Sequence, residues 1–338
     1  ALTFIFVTVV LDMLALGMVV PVLPHLIEDF LGGDIPRAAQ LVGLFSTVWA
    51  VMQFFSMPVM GALSDRFGRR PVILLSNFGL GLDYVLMALA PTLSWLFVGR
   101  LISGVTAASV STSMAYVADV TPPERRAQSF GFVGVAFGVG FVLGPAIGGL
   151  LGSVDPRLPF WAAACASLLN AAYGFFILPE SLAPEKRRAF EWRRANPLGS
   201  LRFLRAHREV FALAGAAFLS SLTHAVLPAV FVLYAAYRYG WDEKAVGLAL
   251  AGVGISSALV QGALVGPLVR RFGERRVMIG GLLAGTAGFM LYAFAPTGLW
   301  FVAAIPIVGL WGLAGPTSQG IMTRAVGASA QGELQGAM

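Results

Sequence analysis

Three ionisable side chains stand inside apolar stretches of this chain. Asp12 follows Val9-Val10-Leu11, Asp83 follows Leu80-Gly81-Leu82, and Arg100 follows Phe97-Val98-Gly99. An ion in hydrocarbon is unfavourable unless it is paired or hydrated, so each of the three marks a functional candidate. Two carboxylates and one guanidinium leave one negative charge over. Arginine keeps its proton. Protonating one carboxylate is therefore the least costly way to neutralise the set. The result is an acid that loads and releases a proton. The alternative is that Arg100 pairs permanently with one aspartate and only ties helices together.

The elements that must hold these groups are membrane helices. The chain is 57% apolar and only 12% charged, against about a quarter charged in soluble domains. Its apolar residues fall into runs of roughly 20, the length that crosses a bilayer as helix. Ten helices are predicted, at about 2–27, 39–64, 71–90, 93–118, 127–152, 159–178, 209–237, 244–269, 275–295 and 297–325. At ~1.5 Å rise per residue, Asp83 and Arg100 come out level, about eight residues from the outer ends of helices 3 and 4. Asp12 comes out nearer the midplane, within reach of a long arginine.

Of the 23 Lys and Arg residues, 18 fall in the stretches after helices 2, 4, 6, 8 and 10. By the positive-inside rule those loops and the N-terminus face the cytoplasm. The net charge of +6 is thus a topology signal rather than a nucleic-acid footprint. One cysteine, Cys165, excludes an internal disulfide framework. His25, His207 and His224 have no zinc spacing, so no metal site is expected.

The chain repeats itself. Ser64-Asp65-Arg66-Phe67-Gly68-Arg69-Arg70 and Val269-Arg270-Arg271-Phe272-Gly273-Glu274-Arg275 align at an offset of 205 positions, from Gly68 to Gly273. The same offset pairs Gly61 with Gly266, Trp95 with Trp300, Gly104 with Gly309 and Gly131 with Gly336. A repeat spanning several helices is a repeated half-protein, and two like membrane halves are the architecture of secondary transporters. The expected domains are a six-helix half at 1–178, a basic cytoplasmic linker at 179–208 and a second half at 209–338. That second half holds four helices and ends at the start of helix 11, so a twelve-helix parent lacking its last two helices is expected.

Gly61, Asp65, Arg66, Gly68, Arg69 and Arg70 suit a cytoplasmic latch, with Gly61 allowing close helix approach and Gly68 a tight turn. Asp119, at the inner end of helix 4, is the expected arginine partner. Alternatively these bases only fix topology. In helix 5, Gly134, Gly138, Gly140, Gly144, Pro145, Gly148 and Gly149 allow close contact, and Gly-Pro removes a backbone hydrogen bond. Gln53, Asn77, Asn170, His224, Gln261 and Gln319 are candidates for a substrate cavity, or for ordinary interhelical hydrogen bonds.

With these residues in view, the chain resembles the major facilitator superfamily, and within it the drug/proton antiporters. Gly61 to Arg70 resembles the signature between helices 2 and 3. Arg100-Leu101-Ile102-Ser103-Gly104 resembles the helix 4 motif tied to proton transfer. Gly144-Pro145-Ala146-Ile147-Gly148-Gly149 resembles the helix 5 motif of antiporters. Leu11 to Pro24 and Leu82-Asp83-Tyr84-Val85-Leu86 are similar to the first and third helices of tetracycline/proton antiporters. The resemblance implies an all-α inner-membrane protein of two six-helix halves that exports a drug–cation chelate against protons. One departure is Gly285, which stands where that family carries a helix 9 acid. The reading is therefore a non-enzymatic, proton-coupled exporter of amphiphilic small molecules. Its expected partners are lipid, substrate and protons, with no resident cofactor, no nucleic acid and a monomeric state. The alternative is an uptake symporter or facilitator for a metabolite.

Overall fold

The computed structural model describes residues 2–122, 126–187, 190 and 208–325. The basic stretch 191–207 and residues 326–338, with Gly336, lie outside them. Among the described residues the structure is helical, without strands, and nine helices are long and apolar enough to cross a membrane. A tenth apolar helix, Phe211–Thr223, is shorter.

The helices are more broken than the hydropathy suggests. The first span consists of α1 (Leu2–Val19) and α2 (Leu23–Phe30), separated at Pro21, with Pro24 in the first turn of α2. Proline lacks the N–H that would continue the ladder. Next come α3 (Ile35–Phe67) and α4 (Arg69–Leu89). The fourth span divides into α5 (Leu93–Thr106) and α6 (Ser109–Val120), parted at Ala107-Ala108. There the Ala108 amide donates to the Thr106 carbonyl at 2.7 Å, a tight local bond that cuts the helical ladder. Then α7 (Arg126–Gly152) runs unbroken through Pro145, followed by α8 (Leu158–Ile177).

Beyond the linker, α9 (Arg208–His224) and α10 (Val226–Tyr239) replace the single helix expected at 209–237. The eighth span is α11 (Glu243–Leu259), one π turn at Val260–Leu264, and α12 (Val265–Phe272). The chain continues through α13 (Glu274–Phe294), α14 (Gly298–Gly309), a 3₁₀ turn at Leu310–Leu313 and α15 (Ala314–Ala325).

The chain forms two compact units. One is Ala1–Pro197 with Pro228–Ala251; the other is Leu198–Leu227 with Gly252–Met338. Among the described residues the first unit has two large apolar clusters and a small one of Met60, Val72 and Ala108. Met18, Val19, Tyr84, Met87 and Phe160 build one; Ile5, Val9, Tyr116 and Val117 build the other. Along α1, Asp12 stands between Val9 and Met13, both of the second cluster.

In this unit α1 meets α7 backbone to backbone. A Cβ on Gly144 would lie 2.7 Å from Gly17 Cα, and one on Gly140 would lie 2.5 Å from Met13 Cβ. One on Gly148 would strike the Met18 carbonyl, and one on Gly149 would strike that of Glu243. The other two expected helix 5 contacts are corrected: around Gly134 and Gly138 a Cβ meets nothing within 4 Å. Gly61 is corrected likewise, because its surroundings are equally open.

The repeat survives as geometry. Gly68 and Gly273 both take positive φ, +106° and +79°, and both end a basic helix. Gly104 packs against Trp49 and Met52, and its counterpart Gly309 packs against Ser256. Glycine tolerates that backbone region where other residues are strained.

Candidate functional site

Asp12, Asp83 and Arg100 are all buried, at 5%, 0% and 8% exposure. All three belong to the first unit. Tyr84, beside Asp83 on α4, is buried in the same unit, at 3% exposure.

The two acids have different company. Arg100 Nη2 stands 3.6 Å from Asp83 Oδ2 and donates to Met87 Sδ at 3.1 Å. Among the described residues neither oxygen of Asp83 has a partner at full hydrogen-bond geometry, with the Ser103 hydroxyl a nearby donor, and Arg100 Nε has none. The pair is held by charge and by packing rather than by a fork of hydrogen bonds. Asp12 is held the opposite way, by neutral donors. Asn170 Nδ2 donates to its Oδ1 at 2.9 Å, and the Ser109 hydroxyl donates to its Oδ2. Sequence reasoning brought Asp12 within reach of an arginine; the structure gives it an amide and a hydroxyl instead. The break at Ala107-Ala108 makes Ser109 the first residue of α6. The orphan N–H groups and positive dipole end of that half-helix therefore lie on the side of Asp12.

Ser109 escaped the sequence reading, although the run Ser109-Val110-Ser111-Thr112-Ser113 is unusually polar for a membrane span. Of the two readings of Asn170, cavity residue or interhelical hydrogen bond, the structure gives the second: it is fully buried and turned to Asp12 and to the Thr8 carbonyl, 3.0 Å away. Asn77 is also buried, and among the described residues its amide atoms have no hydrogen-bond partner. Gln53 is half-buried on α3. The side chain of His224 lies outside the described residues.

A second assembly sits where α3 turns into α4. Arg69 donates to Asp65 Oδ1 at 2.6 Å, to Asp119 Oδ2 at 3.0 Å and to Ser64 Oγ at 3.0 Å. Arg70 lies over the Phe175 ring, 5.8 Å from its centre, and Arg66 lies over Phe67. The unforeseen member is Glu180. Its carboxylate accepts from the amides of Arg69 at 2.9 Å and Arg70 at 3.3 Å, the first residues of α4. It also accepts from the amides of Ser181 and Leu182. A carboxylate there satisfies orphan donors and complements the helix dipole. Its only signal in the sequence was an acid directly after Pro179, at the end of the sixth span.

The second unit holds a cavity of about 260 Å³. Ser220, Ser221, Ser257, Gln261, Trp311 and Pro316 are among its lining residues, and none of the described lining residues is charged. Trp311 Nε1 donates to Ser220 Oγ at 3.0 Å, and Gln261 Nε2 donates to Ser257 Oγ at 3.0 Å. Of the expected cavity residues Gln261 is present here, and Gln319 on α15 is not. Gly285 lies behind the indole, its would-be Cβ 2.8 Å from Trp311 Cγ.

A family model described as Major Facilitator Superfamily matches residues 5–338. The chain is 40% identical to tetracycline resistance protein, class C, of Escherichia coli over 338 residues, 100% of this chain and 85% of that protein. It is 35% identical to the class D protein of Salmonella ordonez over 334 residues, covering 98% and 83%. Among solved structures it is similar to the human organic anion transporter MFSD10 (TETRAN), with a TM-score of 0.73 and 26% identity over 99% of this chain and 88% of that one.

Proposed function

The chain belongs to the Major Facilitator Superfamily, and from that premise we propose that it is a proton-driven exporter of amphiphilic small molecules, with tetracycline-like drugs in its range. The relatives named for tetracycline resistance support export. One observation carries the coupling: a buried set of two carboxylates and one guanidinium in a single unit, with one acid ion-paired and the other held only by neutral groups. One surplus negative charge in a low-dielectric interior is relieved by one proton. A proton on Asp12 or Asp83 and a drug in its pocket favour different conformations, and coupling between the two gradients requires only that.

The uncharged cavity lined by Ser220, Ser257, Gln261 and Trp311 suits the cargo. An indole face binds planar apolar rings, and the hydroxyls and the amide fix polar groups. The localisation in this reading is the bacterial inner membrane, with the N-terminus and linker cytoplasmic. The Asp65–Arg69–Asp119 cluster is a latch on that side.

The test uses inverted membrane vesicles carrying a respiratory proton gradient. Lumenal pH is followed while tetracycline with magnesium, and then other drugs, are added. Drug-dependent proton leakage that disappears in Asp83→Asn and Asp12→Asn supports antiport. Leakage unchanged in both variants rejects the coupling role of the buried set.

A further inference from the structure

The two oxygens of Asp12 are not equivalent. Oδ1 receives the amide N–H of Asn170, and the same Nδ2 donates to the backbone carbonyl of Thr8. A backbone carbonyl only accepts. If the Asn170 amide turned over, its oxygen would face two acceptors, so it stays a donor. A donor N–H matches a bare carboxylate oxygen and clashes with an O–H. Oδ1 is therefore unsuited to carrying the proton.

Oδ2 faces Ser109. A hydroxyl is the one group in this shell that reverses its role, with one O–H and two lone pairs on a freely turning bond. It donates to a carboxylate and accepts from a carboxylic acid without moving its oxygen. The helix break before Ser109 puts it on a half-helix N-terminus, where orphan amides offset charge on the carboxylate. A further buried titratable group of this unit among the described residues is Tyr84 of α4, beside Asp83.

We propose that Ser109 is the group through which Asp12 gains and loses its proton, and that Asn170 is a positioning residue that confines the exchange to Oδ2. The step balances as a relay. A protonated water gives its proton to Ser109 Oγ as the Ser109 O–H bond breaks and the Asp12 Oδ2–H bond forms. The products are neutral water, an intact serine and a neutral acid. The reverse sequence releases the proton. This inference rests on the coupling role given to Asp12 above.

The test reconstitutes the protein in liposomes and measures two transports of labelled tetracycline. Accumulation driven by a proton gradient needs the relay; equilibrium drug–drug counterflow does not. Ser109→Ala is expected to lower gradient-driven transport by about 10-fold or more, given the usual weight of a positioned proton-transfer group. It is expected to leave counterflow within about twofold, and Ser109→Thr is expected to restore coupling. In the Asn170→Ala background Oδ1 is open to protons, so adding Ser109→Ala should cost less than it does alone, a coupling that a double-mutant cycle reads directly. If Ser109→Ala keeps full gradient-driven transport while Asp12→Asn loses it, the relay is wrong and the coupling role of Asp12 stands. If Ser109→Ala loses both transports, Ser109 is structural and the relay is again wrong. If Asp12→Asn keeps gradient-driven transport, the coupling role itself falls.

Discussion

Gly99 presses against Asp83: a methyl group on Gly99 would lie 2.6 Å from Asp83 Oδ1. The backbone of α5 is thus one wall of the carboxylate's chamber, and the neighbouring Arg100 is its counter-ion. Gly99→Ala is expected to displace the acid or splay the helices, at about 1–3 kcal/mol for overpacking. Gradient-driven transport should fall while total expression changes little. Vesicle transport normalised to folded protein, measured by size-exclusion fluorescence, checks this.

Removing one partner of the Asp83–Arg100 pair leaves a buried charge alone. Arg100→Leu is expected to destabilise the protein by about 3–5 kcal/mol. The double variant Asp83→Asn with Arg100→Leu should recover much of that stability without recovering transport. Thermal unfolding in detergent separates the two effects: equal midpoints for single and double variants would mean that the charges do not depend on each other.

Arg69 spans Asp65, Asp119 and Ser64 with one planar guanidinium. Lysine offers a point charge and cannot fork to both acids. Arg69→Lys is expected to lose most transport while shifting stability by no more than about 1 kcal/mol, as for a partly exposed pair. Transport and unfolding midpoint measured on the same preparation decide whether the cluster gates or merely stabilises.

Gly148 admits no side chain, because a Cβ there would collide with the Met18 backbone. Gly148→Ala is expected to push α7 from α1 and to destabilise by several kcal/mol, above the usual overpacking cost of about 1–3 kcal/mol. Gly138→Ala, in open space, should cost nothing measurable and serves as its control, with an unfolding midpoint equal to that of the parent. Paired midpoints from one expression batch provide the reading.

Trp311→Ala removes the aromatic wall of the cavity in the second unit. Its KM for a transported drug should rise about 10-fold, matching the loss of about 1–2 kcal/mol of ring contact. The proton response to a saturating drug dose should persist. An unchanged KM would assign the cargo to another surface.

The spans were readable because hydropathy and length alone dictate them, and the repeat was readable because glycines that cap or pack cannot drift: Gly68 with Gly273, and Gly104 with Gly309. The buried charges announced themselves as ions among aliphatic residues. What the sequence concealed were relations set by tertiary contact. No proline or glycine marks the break at Ala107-Ala108, so Ser109 looked like a mid-helix serine. Asn170 and Asp12 are 158 positions apart, and nothing local ties them. Glu180 caps a helix 111 residues before it in the chain. Gly61, Gly134 and Gly138 looked like packing glycines by type, yet only neighbours reveal which glycines are crowded.

The offset of 205 carries Asp83 to Gly288 and Arg100 to Ile305, where a Cβ on Gly288 would touch Val308 at 2.5 Å. One copy of the repeat keeps ions and the other keeps close apolar packing. In the proposed cycle the buried acid–arginine charges, among the described residues, therefore belong to the first unit. A membrane potential exerts about 2.3 kcal/mol per elementary charge for each 100 mV. With both acids ionised the set bears one negative charge, and a negative cell interior drives it outward. With one acid protonated it is neutral and returns without opposing the voltage. In the proposed cycle, for a cargo without net charge, the asymmetry between the two copies acts as a rectifier: the potential assists the loaded stroke and ignores the recovery stroke; a singly cationic cargo cancels the set's charge and removes that assistance.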